Sequence, residues 1–130
     1  MTIIYFHIGM HKTGTSSIQA TLAKSRKILA KFGVLYPSIQ EPNHSVAITS
    51  LFSETPLQYK ENIRRGIRDE KTLHALNKHN EAKLNEQLSQ QKWEKIIISG
   101  EAICIMKYKS LQNMKAYFDK KATSYKIIFY

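Results

Sequence analysis

Apolar and polar positions divide this chain into segments of different period. Ile3, Ile4, Tyr5, Phe6 and Ile8 make a short, nearly continuous apolar run, the pattern of a central strand in a parallel sheet. Ile18, Leu22, Leu29 and Phe32 then fall close to one helical face, and Ala20, Ala23 and Ala30 favour the helix. With Gly33 placed to end it, the spacing predicts a helix over residues 14–32 packed on the first strand. Val34, Leu35, Tyr36 and Pro37 read as a short extended piece, and residues 38–43 as a surface loop near the ligand cleft. Residues 46–52 suit a short helix capped by Asn43 or Ser45.

Residues 53–66 are polar and read as a loop with a partial helix that shapes a substrate site. Leu73, Leu76, Leu84 and Leu88 mark an outer helix over residues 72–91 with one buried seam. His74 and His79 on it lack the i, i+4 spacing of a zinc helix and read as surface residues. Ile96, Ile97 and Ile98 form a second buried strand, Leu111, Met114 and Phe118 a further amphipathic helix, and residues 125–130 a third strand. Strands alternate with helices, so the expected fold is α/β: one three-layer, P-loop-like domain over residues 1–130 with a central parallel sheet.

The chemistry concentrates where the first strand turns into the first helix. Gly9 and Gly14 bracket Met10, His11, Lys12 and Thr13, and Thr15, Ser16 and Ser17 follow with three hydroxyls. Such a turn aims backbone N–H groups at one point, the helix N-terminus adds partial positive charge, and Lys12 supplies a full one. The arrangement suits a phosphate or a similar oxyanion. Gly9 to Gly14 matches the GxxxxG part of a Walker A loop, but Thr15 stands where that motif needs lysine, which disfavours a Walker-type NTPase.

The order Lys12-Thr13-Gly14-Thr15-Ser16-Ser17 resembles the 5′-phosphosulfate loop of sulfotransferases that use 3′-phosphoadenosine 5′-phosphosulfate (PAPS). With His11 in front, the wording is especially similar to bacterial sulfotransferase-like proteins, as is Phe32-Gly33-Val34-Leu35-Tyr36-Pro37. The resemblance implies transfer of a sulfuryl group from PAPS to a hydroxyl or amine. His11, Lys12, Thr13, Gly14, Thr15, Ser16 and Ser17 would hold the donor, with Lys12 also catalytic and no metal required. The acceptor, whether carbohydrate, lipid or small molecule, is left open.

Such a transfer needs a group to take the acceptor's proton. His44 is one candidate, since imidazole titrates in a useful range, and a capping or surface histidine is the other reading. Glu101 follows the second strand in Ser99-Gly100-Glu101, where ligands of parallel sheets gather. It reads as a base, as a group that orients the acceptor, or as negative charge at the next helix's start.

In the family, the strand matching residues 125–130 leads into an arginine, and the next helix supplies a serine; together they grip the 3′-phosphate. The resemblance therefore covers only the first part of that domain. The expectation is a truncated domain, inactive alone or completed by an oligomer or complementing chain over the open sheet edge.

Composition adds boundaries. No apolar run approaches the ~20 residues of a membrane span, and no signal peptide is evident, so cytoplasmic is the default. Cys104, the one cysteine, lies between Ile103 and Ile105 and reads as a buried thiol. The net charge of +10 can steer PAPS or an acidic acceptor, and it keeps a nucleic-acid-binding module as a rival reading beside a P-loop kinase.

Overall fold

The computed structural model describes residues 1–8 and 15–129, with the side chains of Thr15 and Ser16 excepted. Four strands, β1 (Ile3–His7), β2 (Val34–Leu35), β3 (Lys95–Ser99) and β4 (Ser124–Ile128), form one parallel sheet in the order β2-β3-β1-β4. Among the described residues, six α-helices connect them: α1 (Thr15–Lys24), α2 (Arg26–Lys31), α3 (Ser45–Phe52), α4 (Lys60–Arg64), α5 (Glu70–Ser89) and α6 (Tyr108–Phe118). Short 3-10 turns lie at Pro56–Gln58 and Glu101–Ile105. The fold is α/β with every strand parallel, so each strand pair needs a crossover, as the helical segments between the strands foretold.

The core sits on one face of the sheet. Ile4 and Phe6 of β1 and Ile96 and Ile98 of β3 alternate inward and meet Ile48 and Phe52 of α3, Leu84 and Leu88 of α5, and Met114 and Phe118 of α6. Phe6 packs edge-on against Phe118, with ring centroids 6.1 Å apart, and stacks on Tyr125 of β4 at 6.0 Å. The crossover from β1 to β2 runs across the sheet in the direction opposite to those from β2 to β3 and from β3 to β4. Right-handed connections therefore assign α1 and α2 to the other face.

Two elements depart from the expected pattern. The predicted single helix over 14–32 divides at Ser25 into α1 and α2, and its apolar residues do not all turn inward. Ile18 is 37% exposed and Phe32 73%, whereas the buried one among the described side chains of α1 is Gln19. Cys104, expected inside, is exposed and its thiol donates to the Glu101 carbonyl at 2.9 Å. The reason is local: Cys104 lies on a 3-10 turn, where the strand-like alternation of Ile103, Cys104 and Ile105 does not apply, and only Ile103 points inward. The loop after β2 also runs deeper than expected, with Tyr36 and Ile39 both 1% exposed.

Gly33 ends α2 with φ +76°, the left-handed cap that glycine allows most cheaply. Gly100 answers to space instead: a Cβ there would lie 2.7 Å from both the backbone nitrogen and Oγ of Ser45. The start of α3 thus sits directly on the end of β3. Gly100→Ala should destabilise the fold by about 1–3 kcal/mol, read as a lowered urea midpoint. An unchanged midpoint would show that this contact is loose.

Candidate functional site

Strands β1 and β3 finish at the same level. His7 is in register with Ser99, and the Gly100 amide donates to the His7 carbonyl at 3.0 Å. The chain leaving β1 and the turn leaving β3 therefore depart side by side from the carboxyl edge of the sheet, where parallel α/β folds bind ligands. Residues 9–14 connect β1 to α1, whose ten-residue helix opens at Thr15. Of the expected donor-binding residues, His11, Lys12, Thr13 and Gly14 lie outside the described residues. Thr15, Ser16 and Ser17 form the first turn of α1; Ser17 is exposed, and its carbonyl accepts from Thr21 Oγ1 at 2.9 Å. The N-terminus of α1 thus follows directly in the chain on residues 9–14, which include Lys12.

A buried polar cluster ties this edge together. Ser99 Oγ lies 2.8 Å from His7 Nδ1 and accepts from Gln19 Nε2 at 3.0 Å, joining β3, β1 and α1. The Ser99 amide donates to His44 Nδ1 at 3.0 Å, and the Ser99 carbonyl accepts from the His44 amide at 2.8 Å. His44 Nε2, 2.8 Å from the Pro37 carbonyl, must be the protonated nitrogen, since Nδ1 already accepts. The Pro37 carbonyl also accepts from Arg26 Nη2 at 3.1 Å, and Arg26 Nε donates to the Tyr36 carbonyl at 2.9 Å. The Tyr36 ring covers His44 at 4.5 Å between centroids, and its hydroxyl donates to the Pro42 carbonyl. Burial pushes the Tyr36 hydroxyl up to about 12.

This geometry reassigns His44. The imidazole is completely buried, and each ring nitrogen is committed to a backbone group. Burial pushes its pKa down to about 4, partly opposed by the Pro37 carbonyl. A base must reach the acceptor's proton with a free lone pair, and the Nδ1 lone pair here is occupied by the Ser99 amide. His44 therefore serves as a clip between the residue 36–44 segment and β3. It occupies the N-cap position of α3 without a side-chain capping bond, and in this arrangement its ring offers no open lone pair to an acceptor.

Glu101 is placed differently. It is half-buried, and its Oε2 accepts from Asn43 Nδ2 at 2.8 Å and Ser45 Oγ at 3.0 Å. Asn43 Oδ1 in turn accepts from the Ser45 amide at 2.9 Å, and Ser45 Oγ accepts from the Ala102 amide at 3.1 Å. These bonds orient the carboxylate while α3 and the turn after β3 hold each other. Glu101 lines a cavity of about 640 Å³ together with Asn43, Ser45, Tyr59, Lys60 and Arg65 among others. Its charge reaches His7, whose pKa is held below its ordinary value by burial and raised in part by Glu101. Among the described residues, no group of three His, Cys, Asp or Glu side chains converges as a metal site would require.

His7, Gln19 and Arg26 were not singled out from the sequence. Their signal was a break in pattern: a histidine within an apolar strand, and polar residues on the inward side of α1 and α2. Compared with protein-family models, curated proteins and solved structures, the chain finds no match.

The depressed pKa of His44 has a signed consequence. Above its ordinary value of 6.5, neither folded nor unfolded chain protonates this ring. As pH falls from 6.5 towards 4, the unfolded state alone gains the proton, so stability drops by up to about 3 kcal/mol. His7 shifts in the same direction. Urea titrations across this range should show the loss, and His44→Asn should remove most of it while lowering stability at neutral pH by about 1–3 kcal/mol. An equally steep pH profile in the variant would refute the assignment.

Proposed function

We propose that this chain carries the donor-binding half of a PAPS-dependent sulfotransferase site, with Glu101 as the group that accepts the acceptor's proton. The observation that carries the reading is a juxtaposition at the carboxyl edge of the sheet. Central strand β1 ends there, and in the chain residues 9–14, Lys12 among them, come between it and α1, while an oriented Glu101 beside a cavity follows the adjacent strand β3. A glycine-bounded loop from a central parallel strand to a helix N-terminus is also what a P-loop-like site needs.

The residues fit the donor's chemistry. The helix N-terminus and Lys12 suit an anionic phosphosulfate, and Thr13, Thr15, Ser16 and Ser17 add hydroxyl donors to its oxygens. Bound there, PAPS supplies the sulfuryl group and a phosphate leaving group. Lys12 and the loop amides stabilise the charge that gathers on that phosphate, at about 3–4 kcal/mol for each well-aimed donor. Glu101, held through Oε2 by Asn43 and Ser45, takes the proton from a hydroxyl or amine in the cavity. His44, Ser99 and His7 position the two strand ends.

Calorimetric titration tests the reading. The chain should bind adenosine 3′,5′-bisphosphate without magnesium, and Lys12→Ala should weaken that binding by about tenfold or more. Glu101→Gln should leave it intact and lower sulfuryl transfer by about 10²–10⁴-fold. Preference for ATP with magnesium would turn the reading to a kinase, and no Lys12-dependent binding by the folded chain would reject it.

A further inference from the structure

The outward face of α1 and α2 is unusual. Hydrogen bonds from the Ser25 amide to the Thr21 carbonyl and from the Leu29 amide to the Ser25 carbonyl carry the helical ladder across the break. Lys24, Lys27, Ile28, Lys31 and Phe32, at spacings of i, i+3, i+4, i+7 and i+8, therefore share one side, and all five are exposed. Ile28 is 62% exposed and Phe32 73%, an i, i+4 apolar pair turned to water. The remaining cation of this stretch, Arg26, faces inward and is tethered to the Tyr36 and Pro37 carbonyls.

The surrounding charge is mainly positive. Residues 1–40 contain no aspartate or glutamate, against five lysines and arginines. The end of α2 lies beside the start of β3, where the Gly33 carbonyl accepts from the Glu94 amide at 2.8 Å and the Lys95 amide at 3.1 Å. Exposed Lys92 and Lys95 extend the basic rim there, with Glu94 the carboxylate between them.

We propose that this face docks on an anionic lipid surface, with Ile28 and Phe32 entering the interface and Lys24, Lys27 and Lys31 meeting the headgroups. Lysines flanking exposed apolar side chains on one helical face fit that surface on both counts. A nucleic acid would use the lysines but offers no apolar phase for Ile28 and Phe32. A second copy would bring like charges against each other around the same pair. The inference is independent of what the site at the sheet edge does. The cavity beside Glu101 is lined by residues outside α1 and α2, so docking leaves it open.

Co-sedimentation with vesicles of phosphatidylcholine, with and without phosphatidylserine, tests this at low and physiological ionic strength. Phosphatidylserine should raise binding by about tenfold or more, and salt should weaken it. Lys27→Glu with Lys31→Glu, and separately Ile28→Ser with Phe32→Ser, should each abolish it while leaving the thermal melt unchanged; all four side chains are exposed. Wild-type binding that ignores phosphatidylserine overturns the proposal without any variant. It is overturned equally if the apolar variant binds vesicles normally while a single-stranded oligonucleotide displaces them, which marks a general polyanion site. A dimer that the apolar variant dissociates, with no vesicle binding, would assign the face to a second copy.

Discussion

The imidazole of His44 spans two parts of the chain that the sheet alone would not join. One nitrogen holds the Pro37 carbonyl beyond β2, and the other takes the Ser99 amide at the end of β3. A strand end normally frays because its last amides have no ladder partner. Here they are bonded: the Ser99 amide to His44, the Gly100 amide to the His7 carbonyl, and the Ser99 side chain to β1 and α1. Keeping that ring neutral is the constraint on which the edge depends, since a second ring proton would remove the acceptor that Ser99 needs. Tyr36 and Arg26 enclose the same corner, so polar bonds and burial protect each other.

From this corner the rest of the site follows. With His44 fixed, Ser45 begins α3 against Gly100, close enough that a side chain on Gly100 would collide. That contact places Asn43 and Ser45 on the Glu101 carboxylate and sets the carboxylate in the wall of the cavity. Its neighbour β1 ends at the same level and hands the chain to the loop before α1. The fold therefore brings the Glu101 carboxylate and the end of β1, the strand that precedes α1, to one edge of the sheet.

Much of this architecture was legible. Strong apolar runs located β1, β3 and β4, and helical spacing located α5 and α6, because burial on one core imposes those periods directly. The strand order was not legible, since periodicity carries no information about which strand lies beside which. Residue roles are hard to read where tertiary partners decide them. His44 has the residue type of a base, yet two backbone groups make it a clip. Phe32 has the spacing of a core residue, yet at the C-cap of α2 it is 73% exposed. Gln19 went unremarked because its inward position becomes meaningful only once Ser99 lies beneath it.

The His44–Ser99 corner holds this edge rigid, and native-state hydrogen exchange reads that rigidity amide by amide. The Ser99, His44 and Gly100 amides should exchange as slowly as those of Ile96 and Ile98 inside β3, opening only when the whole chain unfolds. Exchange of these three at the rate of surface amides, while β3 stays protected, would show that the clip does not hold the edge.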